Sequence, residues 1–475
     1  MAAYRFALDP TVEQVAALRS HCGAARKAFN WGLALVKAVM EQRQAEATYG
    51  MSGGGLTPTL PWTLPALRKR WNVAKYEVAP WSARNSKESY NTGLANLVAA
   101  LRNWSDSYNG RRAGRRVGFP RFRGRRAGIG SVRFTTGSFG LAKTDRRHVK
   151  LPRIGCVRTH ESTRKLARRL DNGTARILSA TVSYRAGRWW CSFQVEVQRT
   201  DPVPARPTDT VGVDLGIHHL AALSLPIPGV TDGRGMVANP RQLETALRRL
   251  RRVSRRCSRR RGPDRRTGVE PSKRWQRANA TRARLHARVA NLRRDGIHKL
   301  TTALAARFGI IVIEDLNVSG MLHNRRLARQ IADAGFAEIR RQLDYKTRWR
   351  AGTLLVADRW FPSSKTCSGC GVAKTKLPLS VRTFTCEHCG LVLDRDVNAA
   401  RNLAQLATLN ELDQSAGTST ASCAGTLNKP AGNPGKTSRA GTGTVTGRPT
   451  PQGAGQRQRS NPQTQDTLNA SSLNG

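Results

Sequence analysis

At 475 residues the chain can hold two or three domains and a sizeable buried core. Lysine and arginine number 81 against 31 acidic residues, a formal net charge of +50. Solubility alone needs no such excess; its plainest use is neutralising a long polyphosphate backbone, which sets ordinary cytosolic enzymes aside. The start, MAAYRFALDPTVEQ, has no apolar h-region, and no run of 18 apolar residues occurs. Neither a basic amphipathic surface helix nor a lipid anchor is present in the pattern, so a soluble chain with no membrane partner is expected.

In chain order, residues 4–10 read as a short strand closed by a proline. Thr11 with Gln14 forms a capping box, and Val15, Leu18, Cys22, Ala25, Phe29 and Leu33 follow at helical spacing. A Gly/Pro-rich break at residues 50–65 precedes a second helical block. There Tyr90, Leu94, Leu97, Val98, Leu101, Trp104 and Tyr108 recur every three or four residues, a core stripe. From about residue 111 the chain turns basic and glycine-rich (GRRAGRRVGFPRFRGRRAG), then breaks into short alternating runs. The clearest is ATVSYRAGRWWCSFQVEV, a hairpin turning near Ala186-Gly187. It sets Cys191, Phe193, Val195 and Val197 on one side and Ser192, Gln194 and Glu196 on the other. A small β-barrel is expected over 111–205, completed by the strand at 1–10, with the helical block at 11–110 inserted.

After the linker TDPVPARPTD comes VGVDLG, a buried-strand pattern. Residues 241–300 hold 21 Lys and Arg against four acidic residues, a local net charge of +17. Leu243, Leu247, Leu250 and Val253, then Leu285, Val289 and Leu292, keep a helical period, predicting two basic helices around the polar break RRGPDRRTGVEPSK. The density and single sign of this charge favour a phosphate-contacting face over a merely solvated one. RFGIIVIEDLNV is a second buried strand ending in acids, followed by a helix over 325–348, and DRDVNAARNLAQLA opens another. Phe384 is the last aromatic residue. Residues 412–475, rich in Gly, Ser, Thr, Asn, Gln and Pro, cannot bury a core and are expected to be a disordered tail.

Of nine cysteines, Cys22, Cys156, Cys191, Cys257 and Cys423 are scattered singly, which suits a reducing compartment rather than a disulfide framework. The other four form Cys367-x-x-Cys370 and, after fifteen residues, Cys386-x-x-Cys389. Each pair fits a tight turn, with Gly371 and Gly390 next in line, and the loop between them can fold back as a hairpin. Four thiolates around one ion leave no open position, so a structural Zn2+ is expected. His388, between two of the ligands, reads as a surface residue.

Asp214 ends VGVDLG and Glu314 ends IIVIEDL, each where a buried strand leaves its sheet, the edge at which α/β sheets carry chemistry. Asp315 faces the opposite side and reads as a structural cap. Asp396 opens a helix in DRDVNAA, where a negative charge also suits the helix dipole, and by position alone Asp394 has an equal claim. Taken singly, each acid has a bland reading as a cap. Together they have a shared purpose, because clustered carboxylates stay ionised only around cations. Such a site holds two Mg2+ about 4 Å apart to activate water and stabilise the leaving oxygen in phosphodiester cleavage. None of the nine histidines has a recognisable partner spacing.

Taken in order, these motifs resemble the TnpB family, transposon-encoded nucleases related to the type V CRISPR effectors, over roughly residues 4–406. VGVDLGIHHLA is similar to the family's first RuvC motif and IIVIEDLNVSGM to its second. DRWFPSSKTCSGCG, FTCEHCG and DRDVNAARNL look like the ribbon and the third motif, and NRRLARQIADAGFAEIRRQLDYK like the helix before them. The resemblance implies catalytic, magnesium-binding roles for Asp214, Glu314 and, by the D-x-N-A-A pattern, Asp396 rather than Asp394. It implies a multidomain α+β and α/β fold: an RNase H-like (RuvC) core at 206–365 and 391–411 interrupted by a zinc ribbon at 366–390, and an N-terminal wedge barrel with an inserted helical recognition lobe. It also implies a guide RNA from the transposon end, a double-stranded DNA target with a short adjacent motif, and a cytoplasmic protein associated with the nucleoid when on DNA. An RNA-guided DNA endonuclease is therefore expected. Two other readings compete: a non-catalytic guide-directed repressor or transposition accessory factor, against which the intact acid triad stands, and a DNA-joining transposase, against which the resemblance stands.

Overall fold

The computed structural model describes residues 1–124, 130–142, 145–198, 202–264, 266–378 and 380–416. The chain opens with β1 (Ala2–Asp9), and Thr11 caps α1 (Val12–Thr48). The Thr11 hydroxyl accepts the Gln14 N–H at 3.3 Å while the Gln14 side chain accepts the Thr11 N–H at 3.1 Å. α2 (Leu64–Val78) and α3 (Lys87–Tyr108) pack on α1 around Phe29, Leu33, Trp71, Leu94, Leu97 and Leu101. Gly93 allows the close approach, since a Cβ there would lie 2.1 Å from the Ala25 carbonyl oxygen.

Then come β2 (Ser131–Phe134), β3 (Gly140–Leu141), β4 (His148–Leu151), β5 (Gly155–Thr159), α4 (Arg164–Asp171), β6 (Ala175–Arg185) and β7 (Arg188–Val197). With β1 these strands form a seven-stranded sheet in the order β2-β6-β7-β1-β5-β4-β3, its neighbours antiparallel. The β6–β7 turn has Ala186 and Gly187 at φ of 51° and 83°, the left-handed pair a two-residue hairpin needs. The expected barrel does not close among the described residues: β2 and β3 end the sheet without pairing to each other. β3, two residues long, offers too few backbone groups to bridge the gap.

The second half runs through β8 (Arg206–Asp214), β9 (His219–Leu223), β10 (Met236–Ala238), the basic helices α5 (Gln242–Ser258) and α6 (Lys273–Arg307), and β11 (Phe308–Glu314). It continues with α7 (Val318–Met321), α8 (Ala328–Ala334), α9 (Phe336–Arg348), β12 (Thr353–Ala357), β13 (Thr383–Thr385), β14 (Val392–Asp394) and α10 (Arg395–Ala416). The single helix expected over 325–348 is broken at Gly335, whose φ of 75° ends α8; a Cβ there would come within 3.0 Å of the Ile297 side chain on α6. α10 continues to Ala416, so residues 412–416 of the expected tail are helical. Residues 417–475, with Cys423, lie outside the described residues. Among the described residues no helix is long and apolar enough to cross a membrane.

A five-stranded sheet, in the order β10-β9-β8-β11-β12, positions the candidate site. β8, β11 and β12 are parallel, while β9 and β10 run as an antiparallel meander. On one face Val211, Val213, Ile311 and Ile313 pack against Leu300 and Leu304 of α6 and Phe336, Ile339 and Leu343 of α9. The two-residue period of a strand then puts Gly212, Asp214, Val312 and Glu314 on the opposite face. α10 covers that face, with Val312 packed against Leu403 and Ala407, and Met236 against Val397 and Ala400.

Candidate active site and metal centre

Register brings the first two acids together. Val213 pairs with Ile313 between parallel β8 and β11, so Asp214 and Glu314 end neighbouring strands on the same face, their backbones about 5 Å apart. Asp396 lies in the first turn of α10, the helix covering that face. Asp394, the rival by position, caps the helix through one of its two oxygens. Its Oδ1 accepts the N–H of Asp396 at 2.8 Å and of Val397 at 3.4 Å, making it the N-cap of α10. Asp315, expected as a structural cap, is an ion-pair clasp. Its two oxygens take Arg340 from α9 and Arg359 from the loop after β12, both at 2.5 Å.

Proton affinity is raised at two of the acids, Asp214 and Asp396. Burial, then the charges of Glu314 and Asp396, hold Asp214 well above the usual aspartate range. Burial and then Asp394 raise Asp396. Positive charge nearby does not offset this. Arg382 reaches Asp396 only at 4.0 Å, and the Arg395 guanidinium donates to the Pro378 carbonyl at 2.9 Å and the Ser364 hydroxyl at 3.2 Å. The charge of Arg395 lowers both aspartates without outweighing burial and the neighbouring acids. An acid-rich, half-buried edge with little compensating charge is an arrangement that cations stabilise.

The four cysteines form a tighter set. They are the only group of three or more potential ligand residues, among the described residues, whose donor atoms all lie within 4.8 Å of one another. Cys367 and Cys389 sulfurs are 3.6 Å apart, as are Cys370 and Cys386. Four thiolates at about 2.3 Å from a central ion would be roughly 3.8 Å apart, so the residues present fit one tetrahedral metal. Two matching knuckles create the set. Cys367 N–H donates to Val372 O and Gly371 N–H to Cys367 O; Cys386 N–H donates to Leu391 O and Gly390 N–H to Cys386 O. Gly371 and Gly390, at φ of 78° and 73°, complete each turn. The backbone N–H groups of Cys389 and His388 pull the Cys386 thiol down to about 6, while burial and the neighbouring sulfurs push Cys370 up to about 12, so the set concentrates its negative charge on one sulfur.

Three supporting residues escaped the sequence reading. Ser363 donates to Glu314 Oε1 at 2.7 Å. Asn398, fully buried, accepts the Ser368 N–H at 2.9 Å and donates to Thr366 O at 2.7 Å; Asn402 donates to Ser363 O and Thr366 O. These amides tie the first knuckle to the helix carrying Asp396. Two asparagines four apart, interleaved with Val397, Ala399, Ala400 and Leu403, were the available signal, since buried amides require partners.

Comparison with known proteins bears on this arrangement. Residues 192–325 match the OrfB_IS605 model, described as "Probable transposase", and residues 336–403 match one described as "Cas12f1-like, TNB domain". Residues 1–45 match a "Helix-turn-helix domain", although they form one strand and an unbroken helix here. "TnpB-like protein L79" of Acanthamoeba polyphaga mimivirus is 32% identical over 141 residues, 28% of this chain and 26% of that protein. A "Putative RNA-guided DNA endonuclease" of Mycobacterium tuberculosis is 40% identical over 421 residues, 85% of this chain and 86% of the relative. The chain belongs to the TnpB family. Another TnpB relative, "Putative RNA-guided DNA endonuclease InsQ" of Escherichia coli (strain K12), is 30% identical over 419 residues, 84% of this chain and 91% of its own. Among solved structures, "Cryo-EM structure of the Cas12f1-sgRNA-target DNA complex" aligns over 85% of this chain and 98% of that one. Its TM-score is 0.30 and its identity 13%, and the TnpB assignment does not rest on it.

Proposed function

We propose that this TnpB chain is an RNA-guided DNA endonuclease with an RNase H-like (RuvC-type) core, and that Asp214, Glu314 and Asp396 are its metal-binding catalytic carboxylates. The observation that carries the proposal is the meeting of these acids, from β8, β11 and α10, on one sheet edge with too little positive charge to neutralise them. The mixed sheet, an antiparallel meander joined to parallel strands, supports the RNase H-like reading. Magnesium bound there would supply water activation and leaving-group stabilisation for phosphodiester cleavage. The chain's own part is positioning. Adjacent strands fix Asp214 and Glu314, Ser363 orients one oxygen of Glu314, and the Asp394 cap leaves the Asp396 carboxylate available.

The arginines of α5 and α6 would contact the backbone of a guide RNA paired to target DNA, sequence being read by base pairing. A guide derived from the transposon end follows the family resemblance. In the same reading residues 11–110 are the recognition lobe, 111–205 the wedge, and 206–365 with 391–411 the nuclease core around the ribbon at 366–390. Zn2+ is the ion that four thiolates at this spacing suit best, in a structural role. A Cys370→Ser, Cys389→Ser double variant should retain no zinc and expose residues 366–390 to limited proteolysis; wild-type zinc content by elemental analysis would contradict the assignment.

The central test is to purify the full chain and sequence the RNA that accompanies it. A discrete species from the 3′ flank of the gene is expected, directing cleavage of a matching plasmid in magnesium and not in EDTA. Undiminished cutting after the RNA is digested, or guided binding with no cutting, would overturn the proposal, the latter in favour of a repressor.

A further inference from the structure

Trp360 is 85% exposed, the most exposed aromatic side chain among the described residues. A lone exposed apolar residue is ordinary; the placement of this one is not. It lies in the turn after β12, whose last residue, Ala357, pairs with Glu314. On one side of it Arg359 is bound to Asp315; on the other, Ser363 is bound to Glu314 at 2.7 Å. The turn between is stiffened by Asp358, whose Oδ1 accepts the Trp360 N–H at 2.8 Å and whose carbonyl accepts the Phe361 N–H at 3.1 Å. Phe361 packs inward with Val312 and Leu403, so the core at this point takes one aromatic ring and leaves its neighbour outside. The backbone that carries this flat neutral ring is thus held between a bond to Glu314, which ends β11, and a bond to Asp315, the next residue.

Arg340 and Arg359 share the single carboxylate of Asp315, so charge at this rim can hold a strand's phosphates but cannot by itself fix a base. Stacking can, and it suits a strand whose sequence is read elsewhere, since every base presents a π face. We propose that Trp360 is a stacking platform for an unpaired base of the DNA strand delivered to the carboxylates, and so helps set which phosphodiester lies over them. The inference rests on the endonuclease reading above.

The test uses the full chain carrying Asp214→Asn, with its bound RNA, and a single-stranded DNA bearing 2-aminopurine at each position in turn. Stacking on an indole should quench the probe at one position. Adding Trp360→Ala should restore that fluorescence and weaken binding of the oligonucleotide roughly 10-fold, within the range for loss of one base–aromatic stack, while Trp360→Phe keeps most of both. Because residue 360 is exposed, the melting temperature should stay that of the parent. No quenched position, or one indifferent to residue 360, overturns the platform while guided cutting by the unaltered chain persists. Failure of that cutting overturns the endonuclease reading and leaves the quenching assay readable.

Discussion

Asp214→Asn is expected to remove cleavage, by roughly a thousandfold or more, while raising the melting temperature of the metal-free protein and sparing RNA binding. Asparagine keeps the shape of the side chain and deletes the charge. That charge is buried and pressed by Glu314 and Asp396, which together hold the carboxyl well above the usual aspartate range. A raised folded-state value means that, above the ordinary aspartate range, the folded chain retains a proton the unfolded chain has released. Stability therefore falls as pH rises through that window, and the cost is fully present above it. At neutral pH the substitution removes this cost. The same charge is what would hold magnesium, and losing about 4 kcal/mol of transition-state stabilisation corresponds to about a thousandfold in rate. Melting in EDTA and in magnesium, beside plasmid cleavage, checks both halves. Added magnesium should stabilise the unaltered chain and not the variant, narrowing the gap. A variant that melts lower in EDTA would mean the carboxylate is structural, and one that cuts within tenfold of the parent would remove Asp214 from the site.

Features held by neighbours in sequence were the legible ones. The metal knuckles needed only the x-x spacing and a following glycine, the first helix only Thr11 and Gln14, and the β6–β7 hairpin only Ala186-Gly187 between alternating runs. Features held by distant partners were not. Asp315 read as a cap because Arg340 and Arg359, 25 and 44 residues away, cannot be paired to it from the chain order. The barrel failed to close because closure depends on the lengths of edge strands, which alternation specifies poorly. The helix at 325–348 broke at Gly335 because a lone glycine in a periodic run is tolerated or decisive according to what packs against it, here Ile297. Asp394 and Asp396 could not be separated by position, since both suit the start of a helix. The backbone N–H groups that Asp394 Oδ1 accepts give it a capping role that chain order alone does not reveal.

Gly212→Ala is expected to cost about 3 kcal/mol of stability and to lose most cleavage without altering any acid. A Cβ at residue 212 would lie 1.9 Å from the Ala400 carbonyl oxygen and 2.7 Å from the Ala404 nitrogen, both backbone atoms of α10 that no rotamer change can move aside. The helix must lift from β8, and Asp396, one turn before Ala400, lifts with it. Glycine at this position therefore sets how near α10 brings its carboxylate to Asp214. The matched control is Gly296→Ala in α6, where nothing lies within 4 Å of the added carbon. There alanine should be neutral or stabilising by up to about 1 kcal/mol, through helix propensity. Chemical denaturation of both variants with cleavage rates alongside distinguishes the two kinds of glycine. If Gly212→Ala unfolds at the parent's midpoint, α10 is not seated on β8 as described. If it is destabilised as expected yet cuts at the parent's rate at a temperature where it is folded, the carboxylate on α10 is not part of the chemistry, because its separation from Asp214 would then be immaterial.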